Sequence, residues 1–400
     1  MLRKIEIGHF KSILDQKIEF GRVNIFIGCN GAGKSNILEA IGMFSAATTG
    51  DIQYEKLTAR GVRLSSPEVF KSALKSQGKR KPTFSLAGTF DQLKYSASIR
   101  ARSGTSNSSP FDFQSEKFTE LGKKLKGRSP NSRVTDELPP PEMSVISYLE
   151  ALGKLSDSQK DSIKSIRDFA IFAPSTPILR GVSPDESKRS PLGLYGGGLE
   201  QGFSNLLRPP ARDAAVEFFK MFDWIQSIGV RSPNKKIQSS HIHTPNKVVT
   251  FTDKFMSSEF DKLYAYDVSE GALYVFFVLL LLTLKDSPSI FALDNVDSAL
   301  NPGMVRTLVA KIVKYTQENN RQIFMTTHNP TALDAIDLFD DEQRVFVVKR
   351  ADRSGATIVE RIAPPENMTK EEWVDQYSGM RLSNLWLEGI IPGALPPSDF

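Results

Sequence analysis

Apolar and polar residues alternate near the start of the chain in the way that half-buried strands require. Residues 4–7 and 17–20 each place apolar side chains at every second position, with a turn between them. Residues 23–27 are more continuously apolar, which predicts a strand buried on both faces of a sheet. From Lys34 onward the apolar residues recur at helical spacing, so we expect a helix after the loop that follows this strand.

Alternating helix and strand patterns return in the last third of the chain. This alternation predicts that residues 267–365 belong to the same layered α/β sheet as residues 1–51, and that the tail, 366–400, carries one or two short helices. The predicted elements are an apolar helix at 269–284, a buried strand at 289–293, a helix at 302–315, and strands at 322–326 and 344–348.

The middle of the chain, residues 52–266, is expected to form an inserted mixed α+β lobe rather than to continue that sheet. Residues 103–141 are rich in Ser, Pro, Gly and Lys and are assigned no regular structure. The absence of a repeat or sustained heptad excludes a long coiled-coil arm. The predicted elements are hairpins at 83–100 and 236–251 and helices within 143–170 and 211–228, separated by a glycine break at 196–198.

Composition places the chain among folded cytoplasmic proteins. The hydrophobic fraction is 40% and the charged fraction 24%, which is ordinary for a globular protein, and 400 residues exceed what one core usually organises. The apolar runs are too short to span a bilayer, and the start lacks the pattern of a secretion signal, so we expect no membrane partner. The single cysteine, Cys29, excludes an internal disulfide and a cysteine zinc site. We interpret Cys29 as a small residue that its loop tolerates, in preference to a redox-sensitive position.

Two further groups of side chains have alternative interpretations. The net charge of +5 permits contact with nucleic acid without demanding it. His241 and His243 have metal-ligand spacing, but with no acidic neighbour a surface hairpin is favoured. A cluster of basic residues comprises Lys117, Lys123, Lys124, Lys126, Arg128 and Arg133. We interpret this cluster as a solvated loop in preference to a nucleic-acid contact.

Residues 28–35 read GCNGAGKS and match the phosphate-binding P-loop pattern GxxxxGK[ST]. Glycines allow successive backbone N–H groups to converge on phosphate oxygens, and the following helix adds positive potential. Lys34 would reach the terminal phosphates and Ser35 would bind magnesium. The setting between a strand and a helix is the one that the motif requires. The sequence therefore predicts binding of ATP with Mg²⁺.

Three other motifs follow in order along the chain. Asp294 ends four apolar residues, as in a Walker B strand, and begins the run DNVDSALNP. About twenty-five residues upstream, Ser269 and Gly271 precede a helix, and downstream a strand ends in His328. The distance of roughly 260 residues between the P-loop and Asp294 argues against small kinases and GTPases, where the acidic residue lies closer.

The order of these elements resembles the ABC-type ATPases of the RecF, SMC and OLD group, often described as AAA-family ATP-binding proteins. Residues 7–12 also resemble the start of that group. The resemblance implies an α/β ABC-type head that pairs head to tail, or in a higher oligomer, with ATP between two heads. It also implies a place for Asn301 in the dimer contact.

The resemblance implies a set of site residues. The nucleotide would be bound by Gly28, Asn30, Gly31, Gly33, Lys34, Ser35 and Asn36 of one head and covered by Ser269 and Gly271 of the other. Ser35 and Asp294 would hold Mg²⁺. Asp294, Asn295, Asp297 and His328 would form the catalytic group.

The chain departs from the group at Asn295, where the usual residue is glutamate. An amide can hold a water but cannot accept its proton, so hydrolysis should be slow unless Asp297 or His328 substitutes. For the glutamine of the Q-loop, Gln53 and Gln92 are candidates without the expected surroundings.

Three functions follow from the resemblance. The preferred one is a dimerising sensor or scaffold ATPase of a bacterial anti-phage system, as in Septu, PARIS and retron-linked ATPases, that works with a separately encoded effector. Residues 348–400 lack the acidic pattern of a toprim nuclease. The alternatives are a DNA-repair ATPase of RecF type and a nucleotide-locked scaffold without turnover.

Overall fold

The computed structural model describes residues 1–102, 109–130, 132–135, 138–187, 189–206, 212–234 and 246–391. Its centre is a six-stranded sheet, called here the P-loop sheet, in which all neighbouring strands are parallel except the β14–β15 pair. Its central strands are buried along their whole length, which explains their continuous apolar sequences. In spatial order the strands are β15 (Thr357–Ile362), β14 (Gln343–Arg350), β3 (Val23–Ile27), β13 (Gln322–Thr327), β12 (Ile290–Leu293) and β8 (Ala170–Phe172).

A second, antiparallel sheet faces the first across a helix, α1 (Lys34–Thr48). Thirteen of the fifteen residues of α1 are buried, since both sheets cover it. Phe44 of this helix, for example, packs on Phe90 and Tyr95 at ring-centroid distances of 6.2 and 6.0 Å. In spatial order the strands are β2 (Ile13–Glu19), β1 (Leu2–Phe10), β4 (Thr83–Phe90), β5 (Leu93–Ala101), β6 (Phe111–Glu120) and β7 (Lys123–Arg128).

The opposite face of the P-loop sheet borders a second core around an apolar helix, α8 (Glu270–Thr283). A small antiparallel sheet of β9 (Ile225–Arg231), β10 (Val248–Asp253) and β11 (Lys262–Tyr264) covers this core. The remaining helices are α2 (Tyr54–Thr58), α3 (Val145–Ala151), α4 (Asp157–Arg167), α5 (Thr176–Leu179), α6 (Leu199–Leu206), α7 (Arg212–Phe219), α9 (Pro302–Glu318), α10 (Lys370–Gln376) and α11 (Leu382–Leu387), with 3₁₀ turns at Pro67–Phe70 and Pro330–Ala335.

Arg321 closes the carboxyl end of α8. Its guanidinium donates to the carbonyl oxygens of Leu282 and Ser287, each at 2.9 Å, and of Pro288 at 2.7 Å, and also to that of Leu284. The last carbonyls of a helix have no partner within the helix, and the guanidinium supplies donors at this end of α8. Burial lowers the pKa of Arg321 to about 10. Within the described ranges, no helix is long and apolar enough to cross a membrane.

The structure confirms the predicted strands and helices at both ends of the chain but changes the middle. Both large sheets cross the expected boundaries at 52 and 266, because β1 pairs with β4 and β8 pairs with β12. Residues 52–266 are therefore not a unit separate from the head. The strand β8 has only three residues, too few to show a buried-strand pattern.

The expectation of no regular structure at 103–141 was wrong, because this stretch contains β6 and β7. The phenylalanines at 111, 113 and 118 are buried, whereas lysines and serines on the other face obscure the alternation in the sequence. The helix expected at 211–228 ends at Phe219, and β9 begins at Ile225. β9 pairs with β10, whereas residues 235–245, with His241 and His243, lie outside the described residues.

Candidate nucleotide-binding site

The loop between β3 and α1 wraps the amino end of α1. Gly33 is the N-cap residue with φ 113°, and no side chain caps the helix. A Cβ at Gly28 would lie 2.0 Å from the carbonyl oxygen of Val348, and one at Gly33 would lie 2.2 Å from Oγ1 of Thr357. Both positions therefore require glycine. An uncapped helix start with this loop is suited to an anion. Cys29, Asn30 and Gly31 are exposed at its tip.

Thr357 of β15 supports the P-loop from behind. Its Oγ1 donates to the carbonyl oxygen of Ala32 at 2.8 Å and lies 2.7 Å from Oγ of Ser12. Asn36 donates to the same Ser12 hydroxyl at 2.7 Å and accepts from Nη2 of Arg63 at 3.0 Å. The side chain of Asn36, predicted to bind the nucleotide, is thus engaged in holding the loop.

Lys34 folds its ammonium group back across the loop. The Nζ atom donates to the carbonyl oxygens of Gly28 at 2.7 Å and Cys29 at 3.1 Å, and it lies 3.2 Å from Nδ1 of His328. Burial lowers the pKa of Lys34, while the nearby charges of Asp294 and Asp297 oppose that shift. Neutral carbonyls are weaker acceptors than phosphate oxygens. The observed position therefore fits a lysine that exchanges carbonyl partners for a phosphate.

Ser35 and Asp294 meet at the carboxyl end of β12. The Ser35 hydroxyl donates to Oδ2 of Asp294 at 3.0 Å, and Oγ1 of Thr326 donates to Oδ1 at 2.5 Å. A hydroxyl and a carboxylate are the hard oxygen ligands that Mg²⁺ prefers, with the remaining positions left to water and phosphate. Within the part of the chain that the structure describes, three His, Cys, Asp or Glu side chains nowhere converge as a metal site. These residues fit Mg²⁺ held jointly with a nucleotide.

The other predicted catalytic residues lie on the turn after β12 and at the end of β13. Asn295 has φ 58°, donates its backbone N–H to Oγ1 of Thr326 at 2.8 Å, and exposes its side chain. Oδ2 of Asp297 accepts the backbone N–H of His328 at 3.3 Å. The His328 residue is exposed beside Lys34. The strand ends thus bring Asp294, Asp297 and His328 around the loop.

Ser269 and Gly271 lie at the start of α8. Ser269 is exposed as the N-cap residue and makes no side-chain capping bond. A Cβ at Gly271 would lie 2.9 Å from the carbonyl oxygen of Ala299, so this glycine permits close packing on the turn after β12. Asn301 caps α9, because its side chain accepts the N–H of Met304 at 3.0 Å.

Neither glutamine candidate lies at the predicted site. Gln53 is the N-cap residue of α2, and Gln92 occupies the turn between β4 and β5 in the antiparallel sheet. The segment that does lie beside Asp294 is the one that begins at the end of β8. The N–H of Asp294 donates to the carbonyl oxygen of Phe172 there, at 2.9 Å. Ser175 lies there, just before α5.

Sequence reasoning missed an ionic cluster next to the site, in which the side chains of Lys11 and Glu39 are buried and that of Arg63 is exposed. The Glu39 carboxylate, 2% exposed, is paired with Lys11 and accepts from Nε of Arg63 at 2.5 Å. Burial lowers the pKa of Lys11, whose ammonium lies 4.8 Å from the ring centroid of Phe70. Arg63 also donates a hydrogen bond to Asn36. The hydrogen bond to Glu39 raises the pKa of Arg63, and the negative charge of Asp294 adds to that shift. The only signal in the sequence was the motif at 7–12, which contains Lys11.

Comparison with protein families gives two matches. A family model described as "AAA ATPase domain" matches residues 1–167. Another, described as "AAA domain, putative AbiEii toxin, Type IV TA system", matches residues 212–334. No curated protein matches the chain.

Among solved structures, an SMC head bound to the C-terminal winged-helix domain of ScpA matches with a TM-score of 0.54 and 15% identity, over 91% of this chain and 98% of that one. An SMC head domain with an extended coiled coil bound to the C-terminal domain of ScpA, from Pyrococcus furiosus, has a TM-score of 0.48 and 14% identity over 94% of this chain and 98% of that one. The recombination mediator protein RecF has 0.40 and 14% over 91% and 98%. The first match establishes the fold.

Proposed function

We propose that this chain, an ABC-type ATPase head of the RecF/SMC group, binds ATP with Mg²⁺ between two copies and hydrolyses it slowly. The observation that carries the proposal is the position of Lys34, Ser35 and Asp294. A buried lysine, a hydroxyl and a carboxylate meet beside an uncapped helix start. Such a site matches a triphosphate with its metal better than any other ligand class.

Each residue has a distinct task in this proposal. Lys34 exchanges the carbonyls of Gly28 and Cys29 for phosphate oxygens. Ser35 and Asp294 would hold Mg²⁺, which would neutralise phosphate charge. His328, already 3.2 Å from Lys34, contacts the terminal phosphate. Asp297 accepts the proton of the attacking water, because the Asn295 amide cannot.

The second copy supplies Ser269 and Gly271. The exposed Ser269 at the start of α8 makes no side-chain capping bond, so its hydroxyl and the helix start are available to a phosphate. The P-loop region bonds within its own copy to Ser12, Asp294, His328 and Thr357. ATP therefore acts as the contact between two heads.

The test of binding and turnover compares the wild type with Lys34→Ala and Asp294→Asn. We expect Lys34→Ala to remove ATP binding in calorimetry and Asp294→Asn to remove the dependence on Mg²⁺. Lys314→Ala, which removes an exposed ion pair to Glu217, is the matched control and should bind as the wild type does. Equal binding by all variants would refute the site.

The test of a shared site is complementation. Ser269→Arg should prevent ATP-dependent dimerisation in sedimentation velocity while leaving ATP binding to the monomer within about twofold. A mixture of Lys34→Ala and Ser269→Arg should recover part of the phosphate release, because one composite site in the mixed dimer remains intact. An inactive mixture, with both single variants folded, would show that each site lies within one copy.

The biological role that we favour is a sensor or scaffold of an anti-phage system with a separate effector. The support is the match over residues 212–334 to a family named for a putative AbiEii toxin of a type IV toxin–antitoxin system. A toxin or nuclease encoded beside this chain, and retained with it on purification, would agree with this role. Replication genes as neighbours would contradict it.

A DNA-repair ATPase is the second candidate, because the outer face of the antiparallel sheet forms an open groove of about 690 Å³. Its lining includes serines 85, 96, 98 and 115 and lysines 17, 117 and 124, together with the acidic residues Glu6, Asp15 and Glu116. Hydroxyls and lysines suit a phosphate backbone. ATP-stimulated DNA binding that weakens steeply with salt would favour this function. The third candidate, a locked scaffold supported by Asn295, predicts binding without phosphate release.

A further inference from the structure

Two polar atoms near the end of β12 are buried without a hydrogen-bond partner among the described residues. They are the hydroxyl oxygen of Tyr274 and Oδ1 of Asp297. Tyr274 is 1% exposed and is the one tyrosine on α8, whose other buried residues are apolar. A buried polar group without a partner costs stability, so both atoms require an explanation.

The face of α8 that carries Tyr274 packs on the turn that carries Asp297. Gly271 lies three residues before Tyr274, on the same face of the helix, and abuts the carbonyl oxygen of Ala299. Burial, and then the charges of Asp297 and Asp294, hold the pKa of the Tyr274 hydroxyl well above its usual range. Tyr274 therefore remains protonated and is a donor near an acceptor that lacks one.

We infer that Tyr274 is a positioning residue whose hydroxyl is joined to Oδ1 of Asp297 through one enclosed water. The other oxygen of Asp297 already accepts the backbone N–H of His328. The carboxylate is thus held between the helix that begins at Ser269 and the strand that ends at His328. A displacement of Ser269 by a partner head is transmitted through this contact to His328.

The contact also fixes the orientation of the Asp297 carboxylate. The charged groups around this carboxylate are Lys34 of α1, Asp294 after β12 and His328 after β13, with Tyr274 of α8 beside them. The consequence for catalysis rests on the proposed function. The water oxygen bonds the γ-phosphorus, its proton passes to Asp297, and the bond to the leaving oxygen of ADP breaks.

The first experiment measures kcat and KM for ATP hydrolysis by Tyr274→Phe, which keeps the ring. We expect kcat to fall about tenfold while KM stays within about twofold, because the hydroxyl orients the Asp297 carboxylate and does not contact the nucleotide. An unchanged kcat, or a rise in KM that accounts for the whole loss of kcat/KM, would overturn the inference.

Tyr95→Phe is the matched control. It also removes a buried tyrosine hydroxyl, but one that donates to Glu116 at 2.7 Å in the antiparallel sheet. Its kcat should stay within about twofold of that of the wild type. A loss of kcat in this control as large as that in Tyr274→Phe would attribute the effect to general loosening and count against the inference.

The second experiment does not depend on turnover. A double-mutant cycle with Tyr274→Phe and Asp297→Asn compares the unfolding equilibrium constants of the four proteins. We expect the two effects to depart from simple multiplication by at least about fivefold. Independent effects would overturn the inference. Coupling in a protein that releases no phosphate would support the contact and refute only the proposed hydrolysis.

Discussion

Thr357→Val removes one hydroxyl that joins β15 to the P-loop while conserving the shape of the side chain. Thr357 is 1% exposed, and its Oγ1 takes part in the bonds to Ala32 at 2.8 Å and Ser12 at 2.7 Å. Each such hydrogen bond contributes about 0.5–1.5 kcal/mol net, so two give roughly 2 kcal/mol of unfolding free energy. For a chain of this length that corresponds to a decrease in Tm of about 2 °C.

The same substitution should weaken ATP binding by about tenfold, because the carbonyl oxygen of Ala32 lies inside the loop that must hold its shape for the phosphates. Calorimetry with ATP and Mg²⁺, alongside thermal unfolding, measures both effects. Thr357→Ser keeps the hydroxyl and is the control, with affinity expected within about twofold of the wild type. If valine and serine at this position behave alike, β15 does not support the loop and the reasoning fails.

Three further predictions concern single residues. Asn295→Glu should raise the rate of phosphate release about 10²-fold, since glutamate can accept the proton of water. The same change should lower the free energy of unfolding by about 1 kcal/mol, because φ is 58° at this position. An unchanged rate would assign the proton to Asp297. Arg321→Met should lower the unfolding free energy by about 3 kcal/mol in urea titration, because the carbonyls that end α8 lose their donor, and a change below about 1 kcal/mol would contradict that role. Burial lowers the pKa of His9 from its usual value, so the unfolded chain binds the proton more tightly and the free energy of unfolding should fall as pH decreases below about 6.5. The free energy of unfolding of His9→Asn, a residue that tolerates the φ of 55°, should depend less on pH between 7.5 and 5.5. An equal slope in the variant and the wild type would refute the assignment.

The elements that the sequence predicts well are those with one strong local signal. A buried strand followed by a glycine-rich loop specifies the position of Lys34, and the run after 290 specifies Asp294. Thr357 and Arg63 have no comparable signal, because each acts through partners hundreds or tens of residues away. The three residues of β8 form a strand only because β12 lies beside them. Tertiary pairing, rather than local propensity, decides such segments.

The parallel order of β3, β13 and β12 has a consequence for synthesis. Ser35 and Asp294 are separated by 259 positions along the chain, although their side chains touch. At about 5–20 residues per second, translation needs on the order of 13–50 seconds to pass from one to the other. During that interval the nascent chain carries a phosphate loop without its acidic partner. On the proposed function, a growing chain would not engage a second copy through ATP until most of it had left the ribosome.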